Sequence, residues 1–309
     1  MKFFYLYKDS QNESTCNVTA SGLIKSFSDN GCFVLSESEF LSSDVMPGAE
    51  DVVIAYISLK NDECQKKLLS LNCKKILQSV DESKSDKILF KTQLEFCKKF
   101  GIDLMINTYP SERNMNFLSE NGIKTITMPI SAHPRLVDYS KKDIDVLVSG
   151  QLDSNYYPVR NKIFAALKNH NFNYAFLPHS GMETSNAIHQ CYGQNFLDLL
   201  DRCWIGVTCR AGSFRDRLVA KYVEFGFSKV LPVGDCPTYM DPGMKSSMLE
   251  VTEDSSEEFI VDQIKSALAD KQSLIARIEN YSAIVHKNFN MDLNTKKVLR
   301  MITDNQSDS

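Results

Sequence analysis

The chain has 309 residues, of which 43% are apolar and 24% are charged, and its formal net charge is −4. This balance is typical of a globular protein, and the length favours two domains of about 150 residues each. The absence of a basic tract argues against nucleic-acid binding, and no apolar run approaches the ~18 residues of a membrane span. Nine cysteines are scattered singly, without a Cys-x-x-Cys pair. That usage fits a reducing cytoplasm and argues against disulfides or a zinc site.

The first half of the chain alternates strand-like and helix-like segments. Strands are predicted at 2–7, 32–35, 51–57, 75–80, 103–106 and 124–128, and helices at 16–27, 62–71, 86–100 and 111–121. The first strand is too short for a secretory signal and has no small-residue cleavage site. Strands that alternate with helices every ~20 to 25 residues predict a parallel sheet covered by helices on both faces.

A break at 129–142 separates this half from a second alternation. The break contains two prolines and no periodicity, which indicates a linker. Strands are predicted at 145–149, 174–177, 204–207, 230–233 and 248–251, and helices at 158–170, 195–201, 213–224, 255–269, 271–286 and 294–303. Residues 305–309 are predicted to be a disordered polar tail. We therefore predict an α/β chain of two Rossmann-like doubly wound domains that face each other across a cleft. The first domain covers 1–135, the second covers 136–285, and a helix at 286–309 returns to the first.

Several familiar nucleotide and hydrolase motifs are missing. Neither half has Gly-x-Gly-x-x-Gly after its first strand, and there is no Walker loop, Gly-x-Ser-x-Gly elbow or His-Glu-x-x-His. The acidic pair in Asp143-Ile144-Asp145 stands at the start of a strand, whereas a metal-nucleotide site needs acids at its carboxyl end. We therefore predict no metal and no resident cofactor.

The stretch 202–235 is the strongest candidate site. It predicts a strand, a small-residue turn, a helix and a second strand, with Ser213 as the helix N-cap and Asp216 three residues on. A helix N-terminus at the carboxyl end of a strand is a natural anion site. The candidate ligands in this stretch are Arg210, Gly212, Ser213, Arg215, Arg217, Lys221 and Glu224. The alternative is a surface helix with solvated charges.

Spacing within the predicted helix suggests roles for its charged residues. Asp216 and Glu224 are eight apart, so they point to similar faces, and Arg217 and Lys221 form one basic stripe. A carboxylate at the end of such a helix can accept two ribose hydroxyls, while nearby cations neutralise a diphosphate. Alternatively, Glu224 pairs with Lys221 or Arg217 on the surface.

Two further clusters follow other strands. Ser149-Gly150-Gln151 ends the first strand of the second half, where backbone N–H groups could meet a phosphate and Gly150 would permit close approach. His179-Ser180-Gly181 follows the next strand and could line the same cleft, although a histidine in a loop is often incidental.

Several motifs resemble those of a known family. The run from Lys142 to Gly150, followed by Tyr157-Pro158-Val159-Arg160, looks like the opening of a nucleotide-sugar domain. Residues 199–207 and 217–235 look like the strand before the donor site and the arginine-to-glutamate helix after it. By these motifs the chain resembles glycosyltransferases of the GT-B fold, closest to the CgeB-like, spore-maturation-type group. The resemblance covers essentially the whole chain.

The resemblance implies a metal-independent glycosyltransferase that moves a sugar from a nucleotide-diphosphate donor to a glycan, lipid-linked or protein acceptor. In this reading the second domain binds the nucleotide sugar and the first domain holds the acceptor. Glu224 holds the ribose, and one or two of the basic residues Arg210, Arg215, Arg217 and Lys221 hold the diphosphate. The backbone at Ser149-Gly150 and Gly212-Ser213 helps them. We expect a cytoplasmic protein with no nucleic-acid partner and no transmembrane segment. Asp9 and Asp81, which follow strands of the first lobe, are candidates for a catalytic base, although each also suits a cap or turn.

Departures from the family pattern leave alternatives open. Aspartate stands where retaining relatives carry the first glutamate of Glu-x7-Glu, and Phe225 to Lys229 replaces the usual small residue and glycine. The outcome, retaining or inverting, is therefore open. A nucleotide-sugar epimerase of the same fold and a catalytically degenerate binding or assembly subunit are the alternative functions.

Overall fold

A computed structural model of the chain describes residues 1–8, 17–56, 59, 61–79, 86–108, 112–178, 194–210, 218–238 and 240–307. The chain divides into two compact units. The first comprises Met1–Ile130 with Met291–Ser309, and the second comprises Ser131–Asn290. The units therefore change at 130/131 and 290/291, where the sequence prediction had 135/136 and 285/286.

The first unit is built on a six-stranded parallel sheet of order β2-β1-β3-β4-β5-β6. Its strands are β1 (Phe3–Tyr7), β2 (Phe33–Ser36), β3 (Val52–Tyr56), β4 (Lys74–Ser79), β5 (Leu104–Asn107) and β6 (Lys124–Thr127). Its helices are α1 (Asn17–Asp29), α2 (Glu37–Ser42), α3 (Asp62–Ser70), α4 (Asp86–Phe100), α5 (Glu112–Glu120) and, from the end of the chain, α12 (Met291–Ser307). The predicted parallel sheet is confirmed.

The second unit is built on a five-stranded parallel sheet of order β11-β10-β9-β7-β8. Its strands are β7 (Ile144–Ser149), β8 (Tyr174–Leu177), β9 (Cys203–Val207), β10 (Leu231–Gly234) and β11 (Leu249–Glu250). Its helices are α6 (Pro158–Asn169), α7 (Gln194–Asp201), α8 (Ala220–Phe227), α9 (Pro242–Ser247), α10 (Glu257–Ala269) and α11 (Lys271–Phe289). In both sheets the second strand in sequence lies on one side of the first and all later strands lie on the other. None of the helices in the described ranges is long and apolar enough to cross a membrane.

Burial on both faces explains the apolar strands. Residues Val52–Ala55 of β3 are completely buried, because helices cover both sides of the sheet. The C-terminal helix α12 packs on α1, where the Ser26 hydroxyl donates a hydrogen bond to the Asp292 carboxylate and is also hydrogen-bonded to the Thr295 hydroxyl, both at 2.9 Å. Because α12 continues to Ser307, the prediction of a disordered tail from residue 305 is wrong for 305–307.

The short helices α2 and α9 were not predicted, although both carry start signals. Before α2, Ser36 and Glu39 form a reciprocal capping box. The Asp241 side chain accepts hydrogen bonds from two backbone N–H groups at the start of α9, and Pro242 occupies its first turn. These caps stabilise helices that are too short to show an apolar period.

A buried lysine lies near the start of the second sheet. Lys142 is 8% exposed and donates hydrogen bonds to the carbonyls of Cys203 (2.5 Å) and Ser228 (3.5 Å). Burial, together with the charge of Arg135, lowers its pKa to about 8, although the charge of Asp201 opposes the shift. The folded protein therefore holds this proton less tightly than the unfolded chain does.

Replacing Lys142 with methionine should change how stability depends on pH. Between pH 8 and the ordinary lysine pKa of 10.5, the unfolded chain binds more protons at this site than the folded protein. The contribution of Lys142 to the free energy of unfolding should therefore rise across this window by up to about 3 kcal/mol. Urea unfolding at pH 7.5 and 10.5 measures the wild-type minus Lys142→Met difference. A difference that stays constant, or falls, contradicts the prediction.

Candidate functional site

The carboxyl ends of β7 and β9 form the centre of the candidate site in the second unit. The chain leaves β7 for β8 on one side and returns to β9 on the other, so the strand order reverses between β7 and β9. Val148 pairs with Val207 in the register, which places Ser149 beside Thr208. Ligands of open parallel sheets bind at this kind of switch point, outside the carboxyl ends of the strands.

Two cations meet at the backbone of Gly150. The Arg160 Nη1 and the Lys221 Nζ would each lie 2.8 Å from a Cβ atom at this position, and the backbone φ is +103°. Lys221 donates a hydrogen bond to the Ser149 carbonyl (3.0 Å), and Arg160 donates one to the Gln151 carbonyl (2.8 Å). Glycine is needed here both for its backbone conformation and for the room that its missing side chain leaves to the two cations.

Arg160 is an unusual residue for its place in the chain. It is 2% exposed, its guanidinium lies over the Tyr157 ring at 4.2 Å, and its Nε has no hydrogen-bond partner among the described residues. Arg160 also stands in the first turn of α6, and that turn contains no acidic residue. A cation is unfavourable beside the positive end of the helix dipole, and a bound anion would offset that cost.

Two buried hydroxyls lie at the ends of the same strands. In the described part of the chain, neither the Ser149 Oγ nor the Thr208 Oγ1 has a hydrogen-bond partner, and both residues are at most 3% exposed. Buried polar atoms usually have partners, so unpaired ones need an explanation. Together with the Arg160 Nε, they provide three unpaired donors near two positive charges. An anion with several oxygens, such as a phosphate, matches that set.

Arg210 is held by an acidic residue at the end of β10. The Asp235 carboxylate accepts hydrogen bonds from the Arg210 backbone N–H (2.9 Å) and from its Nε (2.5 Å). Asp235 is 4% exposed, so this pair is largely shielded from solvent. Only the terminal guanidinium nitrogens of Arg210 remain to reach a ligand, and its contact with a diphosphate stays a prediction.

Glu224 lies on α8, one turn after Lys221. Residues three apart on a helix are neighbours on its surface, so the two side chains lie on the same side. Burial raises the pKa of the Glu224 carboxyl, while the charge of Lys221 opposes the shift. The structure therefore brings a half-buried carboxyl close to the two-cation turn at Gly150. Its binding to a ribose stays a prediction.

The start of α8 differs from the sequence prediction. The helix begins at Ala220, with Val219 as an N-cap that makes no side-chain hydrogen bond, rather than at Ser213. The prediction of one helix over 213–224 is therefore wrong, and the helical spacing between Asp216 and Glu224 does not apply. The apolar residues Leu218 and Val219 fit the apolar face of a helix, so the sequence pattern predicted helix there. Their backbone in the structure is not helical.

Several predicted residues cannot be placed. The residues outside the described ranges are four predicted ligands, both base candidates and one loop cluster: Gly212, Ser213, Arg215, Arg217, Asp9, Asp81 and His179-Ser180-Gly181.

The other predicted ligands lie close together at the candidate site. Ser149, Gly150 and Lys221 come together, and Glu224 lies next to them. Asp235 pairs with Arg210, and Arg160 faces Gly150, yet neither residue was predicted for the site. An arginine in the first helical turn, two residues after the proline that begins the helix, was the available signal for Arg160.

A metal centre would need several acidic, histidine or cysteine side chains close together. Over the described ranges, no three of them are grouped in a way that could hold a metal ion. Arg160 and Lys221 bring two positive charges to the end of β7, while Arg210 beyond β9 is paired with Asp235. The arrangement is chemically suited to hold an anion and to neutralise negative charge that develops on it.

Comparison with solved structures identifies the fold. No protein-family model and no curated protein sequence matches the chain. HepE from Anabaena, solved with UDP-glucose, matches with a TM-score of 0.64 at 10% identity over 98% of this chain and 100% of that one. Sucrose-phosphate synthase from Thermosynechococcus elongatus matches with a TM-score of 0.68 at 10% identity over 100% of both chains. An α-glucosyltransferase solved with UDP and DNA matches with a TM-score of 0.66 at 9% identity over 98% of this chain and 99% of that one. The two parallel-sheet units with their flanking helices therefore have the GT-B fold.

Proposed function

We propose that the protein is a metal-independent glycosyltransferase whose second unit binds a nucleotide-diphosphate sugar. The observation that carries this proposal is the convergence of Arg160 and Lys221 on the Gly150 turn. The neighbouring hydroxyls of Ser149 and Thr208 have no hydrogen-bond partner among the residues that the structure describes. Two positive charges match the charge of a diphosphate, whose several oxygens can accept from all these donors. The solved neighbours that hold UDP or UDP-sugars support the same choice of ligand.

The two cations would act on the leaving group. In glycosyl transfer the bond from the anomeric carbon to the diphosphate oxygen breaks, and a bond to an acceptor hydroxyl oxygen forms. The diphosphate takes the electron pair of the broken bond, and the acceptor hydroxyl gives up its proton to a base. Arg160 and Lys221 would stabilise the negative charge that grows on the diphosphate, which is the task that a metal ion performs in other sites.

The remaining roles in the proposal rest on sequence patterns. Glu224 would accept hydrogen bonds from the ribose hydroxyls, and the terminal nitrogens of Arg210 would add to the diphosphate contacts. Asp9 and Asp81 remain candidates for the base. On the motif resemblance, we also propose that the protein is nearest to the CgeB-like glycosyltransferases. The acceptor would be a glycan, a lipid-linked sugar or a protein, and the site of action would be the cytoplasm.

A thermal-shift panel tests the donor site. UDP, GDP, CDP, ADP and dTDP sugars are added to the EDTA-treated protein, beginning with UDP-glucose because neighbours were solved with UDP-sugars. The true donor should stabilise the protein by about 2.7 kcal/mol at a hundredfold excess over its Kd. The Gly150→Ala variant should lose this shift, because the new Cβ would collide with both cations. Gly122→Ala is the matched control, since Gly122 also has positive φ (+78°) but has nothing within 4 Å of a Cβ.

Three outcomes would count against the proposal. The first is no stabilisation by any donor, and the second is stabilisation only when a divalent metal is restored. The third is an equal loss of the shift in both glycine variants, because backbone strain alone would then explain it. Incubation with donor but without acceptor also separates transfer from epimerisation, since an epimerase converts the sugar without an acceptor.

A further inference from the structure

An unpaired amide lies at the carboxyl end of the first sheet. Gln78 is the penultimate residue of β4 and pairs in the register with Tyr56 of β3 and Ile106 of β5. It is completely buried, and neither its Nε2 nor its Oε1 has a hydrogen-bond partner in the part of the chain that the structure describes. Ile76, two residues earlier on the same face, belongs to the apolar core. A glutamine at the next inward position costs free energy unless something pairs with it.

A second amide lies beside the same strand end. Gln93 of α4 is completely buried and donates a hydrogen bond to the Ser79 hydroxyl (2.7 Å). Its Oε1 has no partner within the described ranges. Gln78 and Ser79 are consecutive in a strand, so they point to opposite faces of the sheet. Amide atoms without a partner among the described residues therefore lie on both faces of β4 at its carboxyl end. The strand order of this sheet reverses between β1 and β3, and β4 is the next strand after β3.

The chemistry of these groups favours a neutral ligand. The polar side chains that end β4 and β5 are uncharged, namely those of Gln78, Ser79, Asn107 and Thr108. An amide offers donors on one atom and an acceptor on the other. Two neighbouring hydroxyls can satisfy both at once, because each hydroxyl donates and accepts. A phosphate or carboxylate would leave the Gln78 Oε1 unpaired and facing negative charge.

We propose that the carboxyl end of β3, β4 and β5 in the first unit binds a neutral, hydroxyl-rich ligand through the amide of Gln78. Tyr56, the register neighbour of Gln78, supplies an aromatic group beside that amide, as sites for small polar molecules commonly have. If the proposed function holds, this ligand is the acceptor, and the acceptor is then an unphosphorylated sugar or a glycoside.

The isosteric variant Gln78→Met tests this proposal without creating a cavity. Methionine fills a similar volume and carries no amide, so the stability of the unliganded protein should be unchanged or higher. Binding of neutral hexoses and methyl glycosides, and of hexose 6-phosphates, is measured on the full chain by calorimetry. A neutral sugar should bind the wild type, and Gln78→Met should weaken it about tenfold, the loss expected for two neutral hydrogen bonds. Gln272→Met, at an exposed site on α11, is the control and should bind like the wild type.

The outcomes separate this inference from the proposed function. Equal sugar binding by wild type and Gln78→Met, preference for the phosphorylated sugars, or no binding of any sugar in the panel would overturn it. UDP-glucose binding is measured on the same variants, and its Kd should be the same for the wild type and for Gln78→Met. If neutral sugars bind through Gln78 while no nucleotide sugar binds, the proposed function fails and this site stands.

Discussion

Replacing Lys221 with methionine should lower kcat/KM for the true donor by roughly a hundredfold or more. The Lys221 ammonium lies against the Gly150 turn, where it would meet the diphosphate, and electrostatic stabilisation of a leaving group commonly contributes this much. The charge on the diphosphate grows as the glycosidic bond breaks. The loss should therefore fall mainly on kcat, with a smaller rise in the donor KM. Steady-state kinetics over a range of donor concentrations measures both.

Two further variants make this result specific. Lys265→Met removes an exposed lysine from α10 and should leave both constants unchanged. Arg160→Met should cause a loss similar to that of Lys221→Met. The double variant should lose less than the product of the two single losses, because both cations act on one diphosphate. Lys221→Met with wild-type kinetics, or strictly multiplicative losses, would show that the two cations do not share a ligand.

Replacing Gly234 with alanine should destabilise the second unit by about 3 kcal/mol or more. A Cβ at this position would lie 1.7 Å from the backbone oxygen of Thr208, and φ is +149°. Backbone cannot move aside as a side chain can, since Thr208 also donates its N–H to the Val233 carbonyl and so ties β9 to β10. Relief of the clash would require the two strands to separate where the candidate site lies. Urea unfolding of the variant measures the loss.

Two other glycines separate the causes of that loss. Gly101 has φ of +62° and nothing within 4 Å, so Gly101→Ala should cost only the backbone strain of about 1–2 kcal/mol. Gly206→Ala would meet the Phe225 ring at 2.5 Å, which is a collision with a side chain that can partly move. The predicted order of destabilisation is Gly234 first, then Gly206, then Gly101. A Gly234→Ala variant as stable as Gly101→Ala contradicts the steric argument.

Much of the fold was predictable because its signals are local. These signals lie within single elements: the apolar run of β3, the helical period over the fifteen residues of α4, and the proline at the start of α6. The helices α2 and α9 were missed because they are six residues long and depend on caps rather than on an apolar period. The start of α8 was misplaced because Leu218 and Val219 look like part of an apolar helix face.

The candidate site was predictable only in part. Lys221, Ser149 and Gly150 were expected because they stand in or after apolar strands at turn or helix positions. Arg160 was not expected, because its ten-residue separation from Gly150 crosses a loop and its first-turn position resembles that of a surface residue. Asp235 was missed because its partner Arg210 is 25 residues away, just beyond the end of the neighbouring strand β9.

The sequence by itself determined the alternation of strands and helices, the restart after the proline-rich break and hence the two parallel-sheet units. These depend on the short apolar runs of strands buried on both faces and on the 3.6-residue period of the helices, which are visible within single stretches of the chain. Only the tertiary structure decided that Arg160 and Lys221 meet at one glycine, and that the buried Gln78 amide has no hydrogen-bond partner in the described part of the chain. Strand order and register bring together residues that are dozens of positions apart, and no local period records which strands become neighbours.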